Sequence, residues 1–234
     1  MLKRLSTKNL HVVKEPFGMF PGVGIFEFTD DYSVFHYGKM PDKIPHKGEA
    51  LCRMTVSTLE MLEESGIRTH FRRFLPPNKM EFSLFRVLNP HKVEIKKGDT
   101  NYLVPLQVIF RNCLPKGSSV FRRLARKQVE LSSLGLAVAP VLGQILNQPL
   151  VEFTTKLDTI DKFIDEQEAR KLSALSEHQM HNLIELTRTI NRLISQRAEA
   201  VGLIHADGKV EFALSGYKEL ILADAVGNGD DNRF

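Results

Sequence analysis

In the stretch "DGKVEF" near the end of the chain, Asp207, Lys209 and Glu211 alternate with Gly208, Val210 and Phe212. Alternate residues of a strand project to one face, so the three charged groups share a surface while Val210 and Phe212 turn the other way. A second run, "LADAVGNGDDNRF", adds Asp224, Asp230 and Arg233. Carboxylates are hard oxygen donors and lysine and arginine are fixed cations, so these residue types suit metal and phosphate chemistry and equally a solvated face. Smaller polar groups recur beside apolar segments: Asp30, Asp31 and Ser33, then Lys47 and Gly48, then Arg111 with Gly117, Ser118 and Ser119. Singly, each has a plain structural use as a turn cap, a helix start or a surface ion pair.

The common sequence signatures of catalysis are missing. There is no G-x-x-x-x-G-K-[ST] phosphate loop, no G-x-G-x-x-G after a first strand, no H-E-x-x-H and no G-x-S-x-G. The glycines of "FPGVG" read as turn geometry rather than a phosphate cradle. His178 and His181 lie a helical turn apart but lack a third ligand, so no metal is assigned to them. Cys52 and Cys113 are isolated, which suggests free thiols and neither a disulfide framework nor a zinc site.

The 234 residues are 42% hydrophobic and 26% charged, the balance of an ordinary globular protein with one sizeable core or two smaller ones. No apolar run reaches the length of a membrane span and the start lacks a secretory segment, so a cytoplasmic protein is expected. A formal charge of +4 favours anionic partners. Nucleic acid is disfavoured as that partner. The basic stretch "KGSSVFRRLARK" has no recognised binding motif around it, there is no tryptophan, and aromatic residues make up 8% of the chain.

Elements that would position these residues follow from periodicity. "GVGIFEF" reads as a first strand, then a polar turn "TDDYS" and a loop through "GKMPDKIPHKG". A helix is expected over the stripe Leu51, Met54, Thr58, Leu59 and Leu62, stopping near Gly66. "RTHFRRF", "EFSLFRVL" and "YLVPLQVIF" are expected strands of an antiparallel sheet. Ser176 and Gln179 form a capping box before the longest helix, whose stripe Met180, Leu183, Ile184, Ile190, Leu193 and Ile194 runs until Gly202. "GLIHA", "KVEFAL" and "ELILA" then read as strands, giving an α+β class. The expected division is an antiparallel-sheet unit over 1–114 and an α+β unit over 115–234, with a nucleotide cleft between them.

Taken in order, "FEFTDDYSVF", "KIPHKGEAL", "LEESGIRTHF", "VPLQVIFRNCLPKGSS", "VEFTTK", "GLIHADGKVEFAL" and "LADAVGNGDDNRF" resemble the SAICAR synthetase family from about residue 22 onward. The pieces are weak singly and specific in sequence. The resemblance implies a ligase of purine biosynthesis that joins carboxyaminoimidazole ribonucleotide (CAIR) to L-aspartate with ATP and Mg²⁺. It places Lys209, Glu211 and Asp224 at the catalytic centre, with Lys156, Asp207, Lys209 and Glu211 toward ATP and Glu211 and Asp224 toward the metal. Asp31, Ser33, Lys47, Gly48, Arg111, Ser118, Ser119 and Arg233 are implied on the substrate side. A homodimer without membrane attachment is implied as well.

The chain also departs from the family pattern. The glycine-lysine loop G-K-x-[KR]-x-x-[YF] has no counterpart in "KNLHVVKEPFGMFPGVG"; Lys8 and Lys14 are the lysines near that place, and neither is assigned. Ala213 stands where a glycine is usual, and Ala225 stands where an acid is, which removes one carboxylate from the metal side. These departures keep an alternative open: a divergent paralogue that binds a nucleotide or ribonucleotide and is either a different ligase or non-catalytic.

Overall fold

Residues 1–5, 7–34, 37–158 and 160–234 are described by a computed structural model. Alternation in "GVGIFEF" makes β3 (Gly22–Phe28) the centre of a first sheet with β1 (Leu2–Arg4), β2 (Lys8–Lys14), β6 (Phe71–Leu75) and β7 (Lys79–Leu84), in the order β1-β2-β3-β7-β6, all antiparallel. Gly24 lets the Phe82 ring of β7 cross the strand, since a Cβ there would sit 2.5 Å from the ring. Between β3 and the first helix, β4 (Asp31–Val34) and β5 (Gly38–Lys43) form a separate ribbon. That ribbon corrects the expected turn and loop: the chain pairs with itself there despite its glycine and prolines.

The first helix, α1 (Lys47–Glu64), buries Leu51, Thr58, Leu59 and Leu62 of the expected stripe, leaves Met54 exposed, and packs on β3, β6 and β7. Gly66, at φ 83°, supplies the left-handed turn that ends it.

The second sheet holds β8 (Tyr102–Leu103), β9 (Leu106–Leu114), β10 (Gln144–Thr155), β11 (Phe163–Ile164), β12 (Asp207–Leu214), β13 (Leu220–Ala223) and β14 (Asn232–Arg233). Its main path is β11-β10-β9-β12-β13, with β8 and β14 also on β12. Connecting it are α2 (Ser119–Ala125), α3 (Glu166–Ser173) and α4 (Glu177–Glu199). Ser176 and Gln179 make the expected capping box at the start of α4, which packs on β9, β10 and β12 and touches α1. The class is the expected α+β, with antiparallel pairing throughout both sheets.

Four expected strands are revised, of which "EFSLFRVL" ends early, at Leu84. "YLVPLQVIF" splits at Val104 and Pro105 into β8 and β9, because Pro105 has no N–H for the ladder and the Val104 N–H turns to the Phe212 carbonyl, 2.8 Å away. "RTHFRRF" begins its sheet pairing only at Phe71, since residues 68–70 bond instead to Leu222 of the second sheet. "GLIHA" is irregular, and its backbone meets β14 through Ala206 N to Arg233 O at 2.8 Å.

The first sheet's last strand ends at Leu84 and the second sheet starts at Tyr102. Thus β9, which a division at residue 114 assigns to the first unit, is a central strand of the second sheet. We propose the connection 85–101 as the division.

Candidate active site

The register of the second sheet sorts its residues by face. Asp207 of β12 lies opposite Arg111 of β9 and Lys209 opposite Ile109, while Leu150, Glu152 and Thr154 of β10 lie opposite Arg111, Ile109 and Gln107. With a period of two, Val108, Phe110, Phe153, Val210 and Phe212 point the other way, into a core shared with Met180, Leu183, Ile190 and Ile194 of α4. Helix α4 therefore occupies the apolar face and leaves the charged face toward the first sheet.

At the Glu211 end of that face is a cleft of about 500 Å³. Lys8 of β2 enters it from the first sheet and pairs with Asp224. Lys156, just after β10, pairs with Glu211 and stands 4.0 Å from Asp224 Oδ2. Lys209 stands 3.4 Å from Asp231 Oδ1, and Ser33 lines the same cleft. At its rim, Lys47 at the start of α1 donates to Asp230 at 2.7 Å. Glu211 is 4% exposed, and its Oε2 has no hydrogen-bond partner among the described residues. A buried carboxylate oxygen left without a donor is expensive unless something cationic meets it.

Burial raises the Glu211 pKa, helped by the neighbouring Asp224 charge and opposed by Lys156. Burial acts the same way on Asp224, yet Lys8 and then Lys156 more than offset it and hold that carboxyl below its ordinary value. Lys8 and Lys156 are raised despite burial, by Asp224 with Asp231 and by Glu211 with Asp224 respectively. Two carboxylates side by side thus have opposite tendencies, which is common at sites that handle protons or metals.

The backbone of Asp224 is left-handed, φ 61°, a conformation uncommon outside glycine that aspartate adopts more readily than most residues. Its carbonyl accepts from His70 Nε2 at 3.0 Å. Burial pushes the His70 pKa down to about 4, so the ring is neutral at neutral pH.

The Asp207 end is closed. Arg111 is 4% exposed and donates through Nε to Glu152 at 2.8 Å, through one terminal nitrogen to Asp207 at 3.2 Å, and through the other to Ser119 Oγ at 3.1 Å. Arg123 also pairs with Glu152, its guanidinium 3.6 Å from the Phe163 ring centroid. Arg233 forks onto Asp207, with Nε at 2.7 Å, and 48% of its side chain remains exposed. Ser118 is buried and caps α2, its oxygen accepting from Val120 N.

The structure therefore divides the expected residues. Lys156, Lys209, Glu211, Asp224 and Ser33 meet in the cleft, whereas Asp207, Arg111, Ser119 and Arg233 form the second cluster and Ser118 stands beside it. Asp31 lies on the ribbon, bound to Lys39 at 2.6 Å, and does not line the cleft. Gly48 is sterically required: a Cβ would be 2.6 Å from the Phe28 carbonyl, and its N–H donates to Asp30 at 2.9 Å.

Sequence reasoning left Lys8 unassigned and missed Asp231 and Glu152. Lys8 carried a signal, the absence of any other lysine in the place of the family loop except Lys14, and Asp231 stood inside the acid run "GDDNRF". Glu152 had none, since only the sheet register brings it to Arg111. A polar chain also went unseen: Ser195 Oγ lies 2.9 Å from His205 Nδ1, and His205 Nε2 lies 2.9 Å from Asn232 Oδ1.

Comparison with known proteins bears on the family and the fold. The family profile described as SAICAR synthetase matches residues 13–234. A relative from Archaeoglobus fulgidus, provisionally named a phosphoribosylaminoimidazole-succinocarboxamide synthase, is 41% identical over 98% of this chain and 73% of its own length. Among solved structures, the SAICAR synthase of Saccharomyces cerevisiae complexed with SAICAR superposes with a TM-score of 0.76 at 21% identity, covering 100% of this chain and 75% of the yeast chain. A type-2 SAICAR synthetase in complex with ADP gives 0.75 at 22% identity, over 97% of this chain and 80% of the other. At such identities the structural likeness speaks for the fold, and the profile and the archaeal relative speak for descent. The chain belongs to the SAICAR synthetase family.

Proposed function

We propose that the chain joins the carboxylate of CAIR to the amine of L-aspartate, consuming ATP and releasing SAICAR, ADP and phosphate. The observation that carries this reading is the cleft in which Lys8, Lys156 and Lys209 from three separate segments face Glu211, Asp224 and Asp231. A carboxylate resists attack by an amine, so its oxygen first takes the γ-phosphoryl group of ATP, ADP leaving, to give an acyl phosphate. The aspartate amine then attacks the acyl carbon and phosphate departs.

Lysines grouped around one cleft stabilise charge on the transferring oxygens, which is most of what phosphoryl transfer asks of a protein. Lys8 answers the missing glycine-lysine loop, since it brings a cation from the first sheet to the carboxylates. That answer favours the ligase over a non-catalytic paralogue.

No group of three or more metal-ligating side chains occurs among the described residues. Mg²⁺ needs fewer, because it is usually held by one or two carboxylates together with substrate phosphates and water. Glu211 and Asp224 fit that use, and the unpartnered Glu211 Oε2 is an oxygen a cation would satisfy. Bound there, Mg²⁺ would neutralise phosphate charge. Arg233, the exposed member of the second cluster, is proposed to contact the ribonucleotide, with Arg111, Asp207 and Ser119 holding it and Ser118 fixing the adjoining helix. Asp31, Ser33 and Lys47 are proposed to border the same pocket.

No described helix is long and apolar enough to cross a membrane, and a homodimer in the cytoplasm is the proposed state. The test is ADP release from Mg-ATP and CAIR with and without aspartate, the product identified by mass. ADP formation that needs both substrates, with the succinyl product, supports the reading; ribonucleotide binding without turnover sinks it in favour of the paralogue.

A further inference from the structure

Asp224 is placed by its backbone. Its left-handed conformation sets the direction of the carboxylate, which reaches Lys8 on one side and lies 4.0 Å from Lys156 on the other. The peptide that follows is involved too, since the dipole of the Ala225 N–H helps hold that carboxyl below its ordinary value. One side chain from outside the turn holds its carbonyl: His70 Nε2 at 3.0 Å. A carbonyl oxygen can only accept, so Nε2 carries the proton and the neutral ring is fixed in one tautomer.

His70 is itself pinned from two directions. Its backbone N–H donates to the Leu222 carbonyl of β13 at 2.8 Å, and its own carbonyl accepts from the Ser83 N–H of β7 at 2.7 Å. The imidazole lies 4.7 Å from the Phe82 ring centroid and is 2% exposed. The backbone of one residue therefore bonds to a strand of each sheet, and among the described residues its imidazole bonds to the Asp224 carbonyl alone.

We infer that His70 is a positioning residue: donating from Nε2, it locks the Asp224 turn in its left-handed form and so aims the Asp224 carboxylate into the cleft. Its site is the junction where the first sheet fixes an acid of the second. The inference rests on the reading of Asp224 as a metal-associated carboxylate, and it adds a residue that touches neither metal nor substrate. Removal of such an outer partner commonly weakens metal binding about 10- to 100-fold.

The experiment compares wild type, His70→Leu, His70→Gln and Phe82→Leu. Leucine fills the space without a donor, glutamine keeps an N–H, and Phe82→Leu loosens the same packing without touching Asp224. Two quantities are read: Mn²⁺ affinity in the presence of ADP, followed by the paramagnetic signal of free Mn²⁺, and hydrogen exchange at the Ala225 amide. His70→Leu is expected to weaken Mn²⁺ binding about tenfold or more and to speed Ala225 exchange, His70→Gln to restore most of both, and Phe82→Leu to lower the melting temperature with Mn²⁺ affinity unchanged. Unchanged Mn²⁺ affinity in His70→Leu, or an equal loss in Phe82→Leu, overturns the inference. If the wild type binds no Mn²⁺ with ADP, the metal reading of Asp224 fails. Ala225 exchange then still decides whether His70 holds the turn, with no acceleration in His70→Leu refuting it.

Discussion

Strand β12 serves two charged regions that differ in how their charges are partnered. At its start, Asp207 is enclosed by Arg111 and Arg233, and Glu152 by Arg111 and Arg123. Four residues on, Glu211 keeps an oxygen without a donor, and lysines rather than arginines face the acids. Arginine's planar fork suits permanent pairing with carboxylates, whereas lysine is a mobile point charge that can exchange one anion for another. The closed region holds geometry, and the open one is free to change partners. The two carboxylates of one strand are thus told apart by whether both oxygens are bonded, not by charge, although Arg123 Nε in the closed region is itself unpartnered among the described residues.

The sharpest way to break that comparison is to remove Glu152. Glu152→Ala leaves two buried guanidinium groups short of their carboxylate and is expected to cost about 3–5 kcal/mol in a urea melt. A loss below about 1 kcal/mol would show that the region is not closed. In the cleft, Lys209→Ala is expected to lower turnover roughly 10²- to 10³-fold while the melt stays near that of the wild type, whereas Asp224→Ala lowers turnover as far and also lowers the melt, because it leaves Lys8 without its carboxylate. If either variant keeps near-full activity, the chemistry lies elsewhere.

How far was this division legible beforehand? Composition, strand alternation and the capping box at Ser176 suffice for the α+β class and the long helices, because those signals are local. Asp207, Lys209 and Glu211 were readable as one face for the same reason. Their separation into two regions was not, since Glu152 reaches Arg111 only through the β9–β10 register, and Lys8 reaches Asp224 across 216 positions of chain. The ribbon of β4 and β5 was hidden by turn-forming residues that pair all the same.

Smaller effects sharpen the picture. Arg233→Ala is expected to raise the KM for the ribonucleotide about tenfold with kcat nearly unchanged, the loss of one charged contact. An unaltered KM would leave the second cluster purely structural. The pH response has a definite sign. Because burial raises the Glu211 pKa, the folded state holds that proton more tightly than the unfolded chain does, so its contribution to stability falls as pH rises past the ordinary glutamate range. Mn²⁺ affinity should instead climb over the same rise, as the carboxylate ionises. Glu211→Gln should flatten both slopes, and a slope that survives belongs to another group. Least of all, Lys47→Met, which removes a partly exposed pair with Asp230, is expected to change stability by under about 1 kcal/mol.

The pairing of Lys8 with Asp224 also bears on when this protein becomes competent during its synthesis. Lys8 leaves the ribosome 216 positions ahead of its carboxylate partner. Domains fold as units, amino-terminal parts first, so the first sheet can form while Asp224 and the "GDDNRF" segment are still being made. Throughout that interval Lys8 has no acid to meet, and no nucleotide pocket exists. Competence arrives in a single event, the docking of β12, β13 and β14 on the earlier strands, which makes a product that stops short of them inert rather than half-active.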